Sequence, residues 1–518
     1  MTDDRMATGD FFLVTMTRRG LLSKAAAAGA GAGLVALGLP ALSDAALAAL
    51  AAGGVVDTAY ALPIVNLDPH GASAQETATK YAARQLFDTL VNYNNGKYLP
   101  SLATSWSQPD SSTWVFKLRK DVLYHDGTKL VAADVVASVN RIIALKGPIA
   151  PLWSTVTSVT APDPHTVKFA TNGSLGTMLE NAYGAFVLPA KELAKQSAFT
   201  KPIGSGPFIC SSFVSSDHLI VKRNPKYWGG APINAGVKSV YIPEEAGRIT
   251  ALINGDDQIT WPVDPDQIPT LQKTNGVKVV EAPSNVIFVV WFNLARKPFS
   301  DVNVRKAMWY ALDLKTIIST LWGNTGSVAT GPVASSVFGF SPQTPYAYSA
   351  STAKGLLAQA GYPNGFTTSI TYEPGVLPAV DEIAQALASY WSAVGVNVQL
   401  QEQQPAQAVT NLLGGNWDMF ILPLGGIDAD FILGRLYASS AKRMGYWNPE
   451  VDTLLAQAKS NTNQQVRKRL YAQVCTILWS DAVSIFAADL KTVYGIRTNV
   501  KGFAVNGDGV GLLNHTHV

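Results

Sequence analysis

Cysteine is nearly absent from this 518-residue chain: Cys210 and Cys475 are the only two, far apart and without C-x-x-C spacing. That excludes a disulfide framework and a thiolate metal centre, and leaves a single bridge between them open. Histidine is almost as scarce. His70, His125, His165, His218, His515 and His517 are scattered, with no His-Glu-x-x-His pair and no cysteine–histidine spacing for zinc. His515-Thr516-His517 is expected to be a frayed tail, and His125 to serve a turn instead of a base. An excess of charge of either sign is also missing. Forty Lys and Arg face 37 Asp and Glu, a formal charge of +3, with no basic block. A nucleic-acid protein needs basic surface to displace counterions from phosphates, so that class is set aside. The serine-hydrolase pattern Gly-x-Ser-x-Gly does not occur; Gly204-Ser205-Gly206-Pro207 is one residue short and reads as a tight turn. No phosphate-binding Walker loop is found. No catalytic constellation emerges and no cofactor is called for.

What is present is apolar material, 47% of residues, including 12 Trp, 18 Tyr and 19 Phe. Single cores stop growing near ~250–300 residues, so two or three domains are expected.

The N-terminus reads as an address. Thr17-Arg18-Arg19-Gly20-Leu21-Leu22-Ser23-Lys24 precedes a Gly/Ala-rich stretch to about Leu42 and a small-residue run from Ala45. This is the layout of an export signal, and Arg18-Arg19 before a weakly apolar region resembles a twin-arginine motif. The signal is assigned to residues 1–51, with cleavage near Ala48 or Ala51. A membrane anchor would need about 20 strongly apolar residues, which this Ala- and Gly-dominated stretch does not offer. The segment carries four basic residues (Arg5, Arg18, Arg19, Lys24) and four acidic ones (Asp3, Asp4, Asp10, Asp44), so cleavage leaves the balance unchanged.

Beyond it, strand and helix signals alternate. Trp114, Phe116 and Leu118 alternate with Lys117 and Arg119, the period of a half-buried strand. Asp134 stands at a helix N-cap before Val135, Val139 and Ile142, with Gly147-Pro148 as the stop. Asn285 to Leu294 is an unbroken apolar run, a strand covered on both faces. A helix over 353–360 closes at Gly361, a longer one over 380–394 leads into a strand from Val396 to Gln401, and Asn448-Pro449 opens a helix followed by another bearing Val466, Leu470, Val474, Ile477 and Leu478. Mixed α/β layers follow. Asp264-Pro265-Asp266 and Asp428-Ala429-Asp430 imitate metal-binding Asp-x-Asp pairs, but such pairs usually form turns or carry surface charge.

Several segments, in order, resemble the extracellular solute-binding proteins of the peptide/nickel/opine class, family 5 of ABC importers. They include Leu67-Asp68-Pro69, Leu99 to Trp106, Trp114 to Val122 running into His125-Asp126-Gly127, and Pro202 to Phe208. Asn224 to Trp228, Phe292-Asn293, Val304-Arg305-Lys306-Ala307, Ala360 to Phe366, Asn448 to Asp452 and Val500 to Phe503 follow. The resemblance runs from about residue 56 to the end. It implies an α/β, two-lobed periplasmic-binding-protein fold of the large, three-subdomain type, with mixed sheets and a two-crossing hinge near 280–290 and 485–492. Lobe I would take residues 55–285 and 489–518, with an inserted subdomain about 99–200; lobe II would take 286–488. Most of the shared motifs read as scaffold, and Arg305 as a helix-surface pairing residue.

The resemblance also implies the function: capture of a small organic solute, most readily a short peptide, by hinge closure, and delivery to an ABC permease and its ATPase subunits. An opine, sugar-like or metal-chelate solute is the alternative within the binding class, and a secreted enzyme the rival outside it. A soluble, monomeric protein without cofactor, periplasmic or extracellular, is expected. In peptide-binding relatives a loop of the sense Trp-x-x-Asp-Tyr-x-Asp-Pro supplies a carboxylate to the peptide's amino group. Here Pro423 to Phe431 occupies that place, shortened and without the aromatic, the first acid or the proline, which leaves Asp428 and Asp430 as candidates. Trp417, Trp261 and Trp291 are candidates for a pocket wall, and Arg443, with Arg435 and Lys442, for a ligand carboxylate.

Overall fold

In the computed structural model the described residues are 54–94, 97–193, 195, 199–506 and 509–518. The signal segment 1–51, with Arg18 and Arg19, lies outside them.

An eleven-stranded mixed sheet runs through the molecule. From one edge its strands are Phe208–Val214, His218–Arg223, Gly236–Tyr241, Val55–Tyr60, Ile259–Trp261, Ser484–Arg497, Val277–Phe292, Met419–Gly425, Phe366–Tyr372 and Val396–Glu402, with Gly326–Val328 paired to the Ser484–Arg497 strand off this path. Two of these strands are long enough to belong to both ends. Val277–Pro283 pairs antiparallel with Lys491–Arg497, the register shifts, and Ile287–Trp291 then pairs with Ser484–Asp489. The shift places a break in the ladder at Ser284–Val286, and among the described residues these two strands are the only segments of this sheet that carry the chain from one half to the other. On either side the pattern is the same: short parallel strands, Val55–Tyr60 with Gly236–Tyr241 and Ile259–Trp261 in one half, Phe366–Tyr372 with Val396–Glu402 and Met419–Gly425 in the other. Parallel neighbours demand crossover connections, which the intervening helices supply.

The buried apolar residues sort along the same line. One core gathers residues from Ile287 to Ala488; another joins Val56, Tyr60, Leu86 and Phe208 to Tyr494, Ile496 and Leu513. A third core, from Ala74 to Val187, is built on an antiparallel sheet of Ala103–Asp110, Thr113–Leu118, Thr166–Thr171 and Val156–Asp163, with helix Ala132–Leu145 against it. Ile427 is the exception: it comes from the second half and packs into this third core.

Periodicity locates most elements. Trp114, Phe116 and Leu118 are buried at 7%, 0% and 4% exposure while Lys117 points to water, as alternation requires. Asn448 caps helix Pro449–Ser460 by accepting from the amides of Glu450 and Val451. Gly361 adopts φ +88° just past helix Ala350–Gln359. The apolar run at 285–294 is only the second half of its strand, because the first half, Val277–Pro283, is half-exposed and lacks the continuous apolar signal.

Three expectations are corrected. Asp134 is not the N-cap of its helix but stands in the first turn, where one carboxylate oxygen accepts from the Val131 amide and the other from Ala190. Arg305 is not a surface residue: at 6% exposure it donates to the carbonyls of Phe299, Asp481 and Ala482, satisfying oxygens left over at the end of helix Gln464–Ser480. The C-terminal His-Thr-His segment is docked, not frayed. Thr516 is fully buried, Asn234 donates to the Leu513 and Thr516 carbonyls, and His517 bridges to Lys501. The bridge left open between Cys210 and Cys475 is not formed: both are free and sit in different cores.

The turns fare as expected. The Gly204 amide donates to Nδ1 of His125, and Nε2 faces the Gly206 carbonyl at 3.2 Å. Burial lowers this imidazole to about 4, so it stays neutral and ties two turns together.

Candidate functional site

The strand Met419–Gly425 runs toward the break in the long ladder and delivers the loop 426–430 to the seam between the two halves. Two backbone bonds fix this loop to the segment around Phe338: Phe338 N donates to Ile427 O at 3.0 Å, and Ala429 N to Phe338 O at 2.8 Å. A glycine must follow, because Gly339 has φ +91° and a Cβ there would lie 2.7 Å from the Tyr471 ring and 2.8 Å from Ala429. The chain then enters a single turn of π-helix, Asp430–Gly434, a distortion that re-aims side chains.

Asp428 is fully buried. Its Oδ1 accepts from Nη2 of Arg467 at 2.8 Å and from the Asp430 amide at 3.0 Å, while its Oδ2 has no hydrogen-bond partner. Arg467, 3% exposed, also donates to the Ala458 carbonyl and the Tyr471 hydroxyl and lies 4.9 Å over the Phe338 ring. Burial opposes its charge, but the Asp428 carboxylate and Tyr471 outweigh that and hold the guanidinium above its ordinary value. Asp430, 8% exposed, has only a long contact with the Tyr471 hydroxyl, at 3.4 Å. Burial and the neighbouring Asp428 charge push it up to about 6.

The opposite wall comes from the other half of the molecule. Glu180 lies in the short helix Met178–Gly184, is 7% exposed, and leaves Oε2 without a partner. Burial first, then the charges of Asp428 and Asp430, raise it well above the carboxylate range. Tyr98, on the hairpin strand Lys97–Pro100, feels both Asp428 and Glu180 and also has an unpartnered buried hydroxyl. The two halves touch directly here. Gly176 N donates to the Lys459 carbonyl at 2.7 Å, and a Cβ on Gly176 would fall 1.9 Å from the Asn461 carbonyl, so the approach admits only glycine.

Sequence reasoning thus singled out Asp428 and Asp430, which the structure brings together, and missed Arg467, Tyr471, Glu180 and Tyr98. A signal for two of these existed: Arg467 and Tyr471 occupy the buried stripe of helix Gln464–Ser480 with Val474, Cys475 and Leu478. An arginine on an apolar stripe needs a buried acid.

The other candidates are dispersed. Trp291 and Trp417 are core residues at 2% and 1% exposure, with their indole N–H groups donating to the Tyr437 hydroxyl and the Leu412 carbonyl, so neither presents a wall to a ligand. They were candidates because they are aromatic; packed against each other, with Tyr437 and Phe420, they fill the core instead. Trp261 is half-buried beside the crossing, donates to Thr492 Oγ1 at 2.7 Å and stacks on Tyr494. Arg443 and Lys442 line a separate cavity of about 520 Å³ with Arg296, Asn416, Tyr446 and the exposed Trp447. Arg435 is exposed and lies 4.1 Å over Phe431. Among the described residues no group of three or more His, Cys, Asp or Glu is arranged to hold a metal, and no helix is long and apolar enough to cross a membrane.

Two sheet halves joined by two strands, with buried polar groups facing each other across the seam, define a hinged two-lobed receptor that encloses its solute. The family model for bacterial extracellular solute-binding proteins, family 5, matches residues 97–443, and the chain belongs to that family. It is similar to the glutathione-binding protein GsiB of Escherichia coli (strain K12), 27% identical over 499 residues that cover 92% of this chain and 96% of GsiB. Among solved structures it is similar to the periplasmic binding protein DppA from Helicobacter pylori in complex with the peptide STSA, with TM-score 0.79 and 24% identity over 91% of this chain and 99% of that one. NikA from Staphylococcus aureus in complex with Ni(L-His)2 has TM-score 0.78 and 19% identity over 90% and 100%. These likenesses carry the two-lobed periplasmic-binding-protein fold.

Proposed function

We propose that this solute-binding protein captures short peptides, gripping the free amino end at the Asp428–Asp430 loop. The observation that carries the reading is a loop that delivers two buried carboxylates to the seam, with a single buried guanidinium, Arg467, against them. The surplus of negative charge asks for a cation from the ligand, and a carboxylate facing an ammonium away from water is a strong orienting contact. Likeness to peptide- and glutathione-binding proteins supports the same choice.

In this reading lobe I comprises 55–285 and 489–518, with a subdomain about 99–200, and lobe II comprises 286–488. They swing about Ser284–Val286 and the facing residues near Leu490. Ligand binds one lobe, closure buries it, and the bound energy shifts the open–closed population. The closed form then docks on an ABC permease driven by its ATPase subunits, as a monomer, and no step breaks a covalent bond. Residues 1–51 send the chain out of the cytoplasm by the twin-arginine route.

Native mass spectrometry of the mature protein purified from its own export compartment tests this. A ladder of small-peptide masses released on denaturation is the expected result. One discrete non-peptide mass, such as an opine or a metal chelate, overturns it.

A further inference from the structure

We infer that the cavity of about 520 Å³ bounded by Arg296, Lys442, Arg443 and Trp447 is a binding site of its own, for an organic phosphate monoester that carries a flat ring. Small-molecule sites run to roughly 300–1,000 Å³, so the space admits more than a bare ion. The inference goes beyond peptide capture and does not depend on it.

The cavity lies away from the seam. Val286 pairs with Gly425 at the ladder break, and Phe292 with Met419 at the far end of the same two strands, about 20 Å along at the ordinary strand rise. Asn293 and Ala295 follow one strand at that end, and Gly415 and Asn416 precede the other. All the wall residues belong to the second half, so the site does not wait for hinge closure to be complete.

Backbone holds the walls in place. Asn293 Nδ2 donates to the Gly415 and Trp417 carbonyls at 3.2 and 2.9 Å, and Leu294 N to the Met444 carbonyl at 2.7 Å. Gly445, at φ +74°, approaches Ala295 so closely that a Cβ would fall 2.6 Å from its amide nitrogen, so only glycine lets these two segments meet.

Three cations line the space and no acid does. Among the described residues Lys442 and Arg443 make no ion pair or hydrogen bond, and the half-buried Arg443 is close enough to Arg435 to repel it. Arg296 donates through Nη1 to the Trp417 carbonyl and lies 3.4 Å from Asp418 Oδ1. The other acids near the walls are engaged from outside: Asp452 accepts from the Ser439 amide and Asp481 from the Tyr446 hydroxyl. Three cations with one carboxylate between them favour an anion. One guanidinium fork already satisfies both oxygens of a carboxylate. A phosphate monoester brings nearly two charges and three terminal oxygens, enough for three separate side chains. Trp447, 73% exposed, is the most exposed large apolar side chain described, and its bare indole is a platform for a ring.

Isothermal calorimetry on the mature protein tests this with phenyl phosphate, inorganic phosphate and benzoate. Phenyl phosphate is expected to bind at least tenfold more tightly than either of the others. Arg443→Gln is expected to weaken both phosphates at least tenfold. Trp447→Ala is expected to weaken phenyl phosphate severalfold and leave inorganic phosphate within twofold. Lys354→Gln, on the exposed face of helix Ala350–Gln359, should change neither beyond twofold, and thermal unfolding checks that all three variants are folded. No binding of phenyl phosphate to the wild type, binding no tighter than that of benzoate, or unchanged affinity in the folded Arg443→Gln variant overturns the site. Inorganic phosphate bound as tightly as phenyl phosphate overturns the ring platform. The peptide reading stands or falls separately, by the masses released from the purified protein.

Discussion

Asp264-Pro265-Asp266 and Asp428-Ala429-Asp430 each close a connection after a strand, and the two settings diverge in how the acids meet water and cations. In the first, Asp266 is exposed and Asp264 half-buried, its amide donating to Oε1 of Glu245 at 2.7 Å. The nearby Arg248 is buried but spends its donors on the carbonyls of Ile242, Pro243 and Pro262. In the second, both acids are buried and the local arginine is bound to a carboxylate. The first arginine bonds backbone carbonyls and meets its acids only at a distance; the second is hydrogen-bonded to a buried carboxylate. Asp-x-Asp is therefore a turn where its loop lies on the surface, and a buried, arginine-paired acid cluster where the fold closes over it.

The comparison can be pressed by substitution, starting with the largest effect. Arg467→Met removes the partner of a fully buried carboxylate and is expected to cost about 3–5 kcal/mol of unfolding free energy in urea. Arg248→Met strands three backbone carbonyls and removes a cation near the half-buried Asp264 and Glu245, neither of them fully buried, and about 1–3 kcal/mol is expected from the same measurement. Equal losses would mean that Asp428 is no more dependent on its arginine than a turn is.

Trp417→Ala should cost about 3–5 kcal/mol by opening a cavity in the core, while leaving solute affinity in the surviving folded fraction within twofold. A selective loss of affinity would return Trp417 to the site.

Asp430→Asn is expected to weaken binding of a free-amine peptide about ten- to a hundredfold by calorimetry, the scale of a charged hydrogen bond of roughly 1.5–3 kcal/mol. Asp264→Asn should leave it within twofold.

A smaller effect appears in the pH dependence of stability. Asp430 is raised to about 6 and Glu245 to about 7, both chiefly by burial. For an acid raised on folding, the native state holds more protons than the unfolded one between the two values, so stability falls as pH rises through that window. Asp430→Asn should flatten the decline between about pH 4 and 6, and Glu245→Gln the part that extends toward 7. A decline unaltered in both variants would place the titrating groups elsewhere. Smallest of all, Asp266→Asn should shift stability by no more than about 0.5 kcal/mol, as for an exposed residue.

Much of this molecule is legible without coordinates. Alternation marks Thr113–Leu118, caps mark Pro449–Ser460, and the motif order from Leu67 to Phe503 carries the family and its two-lobed plan. Asp428 and Asp430 stand out by place in that order. These signals are local, written in a period or a spacing that a few neighbouring residues suffice to state. Burial at the seam is not local. Arg467 lies 39 positions from Asp428, and Gly176, in the segment just before Glu180, closes against Lys459 and Asn461 far along the chain. The amino-acid order determined the fold family, the strands and helices, and two acids of a loop. Tertiary structure alone decided that those acids are buried, which arginine answers them and which tryptophans are core, because desolvation and charge depend on what the folded chain brings within a few ångströms.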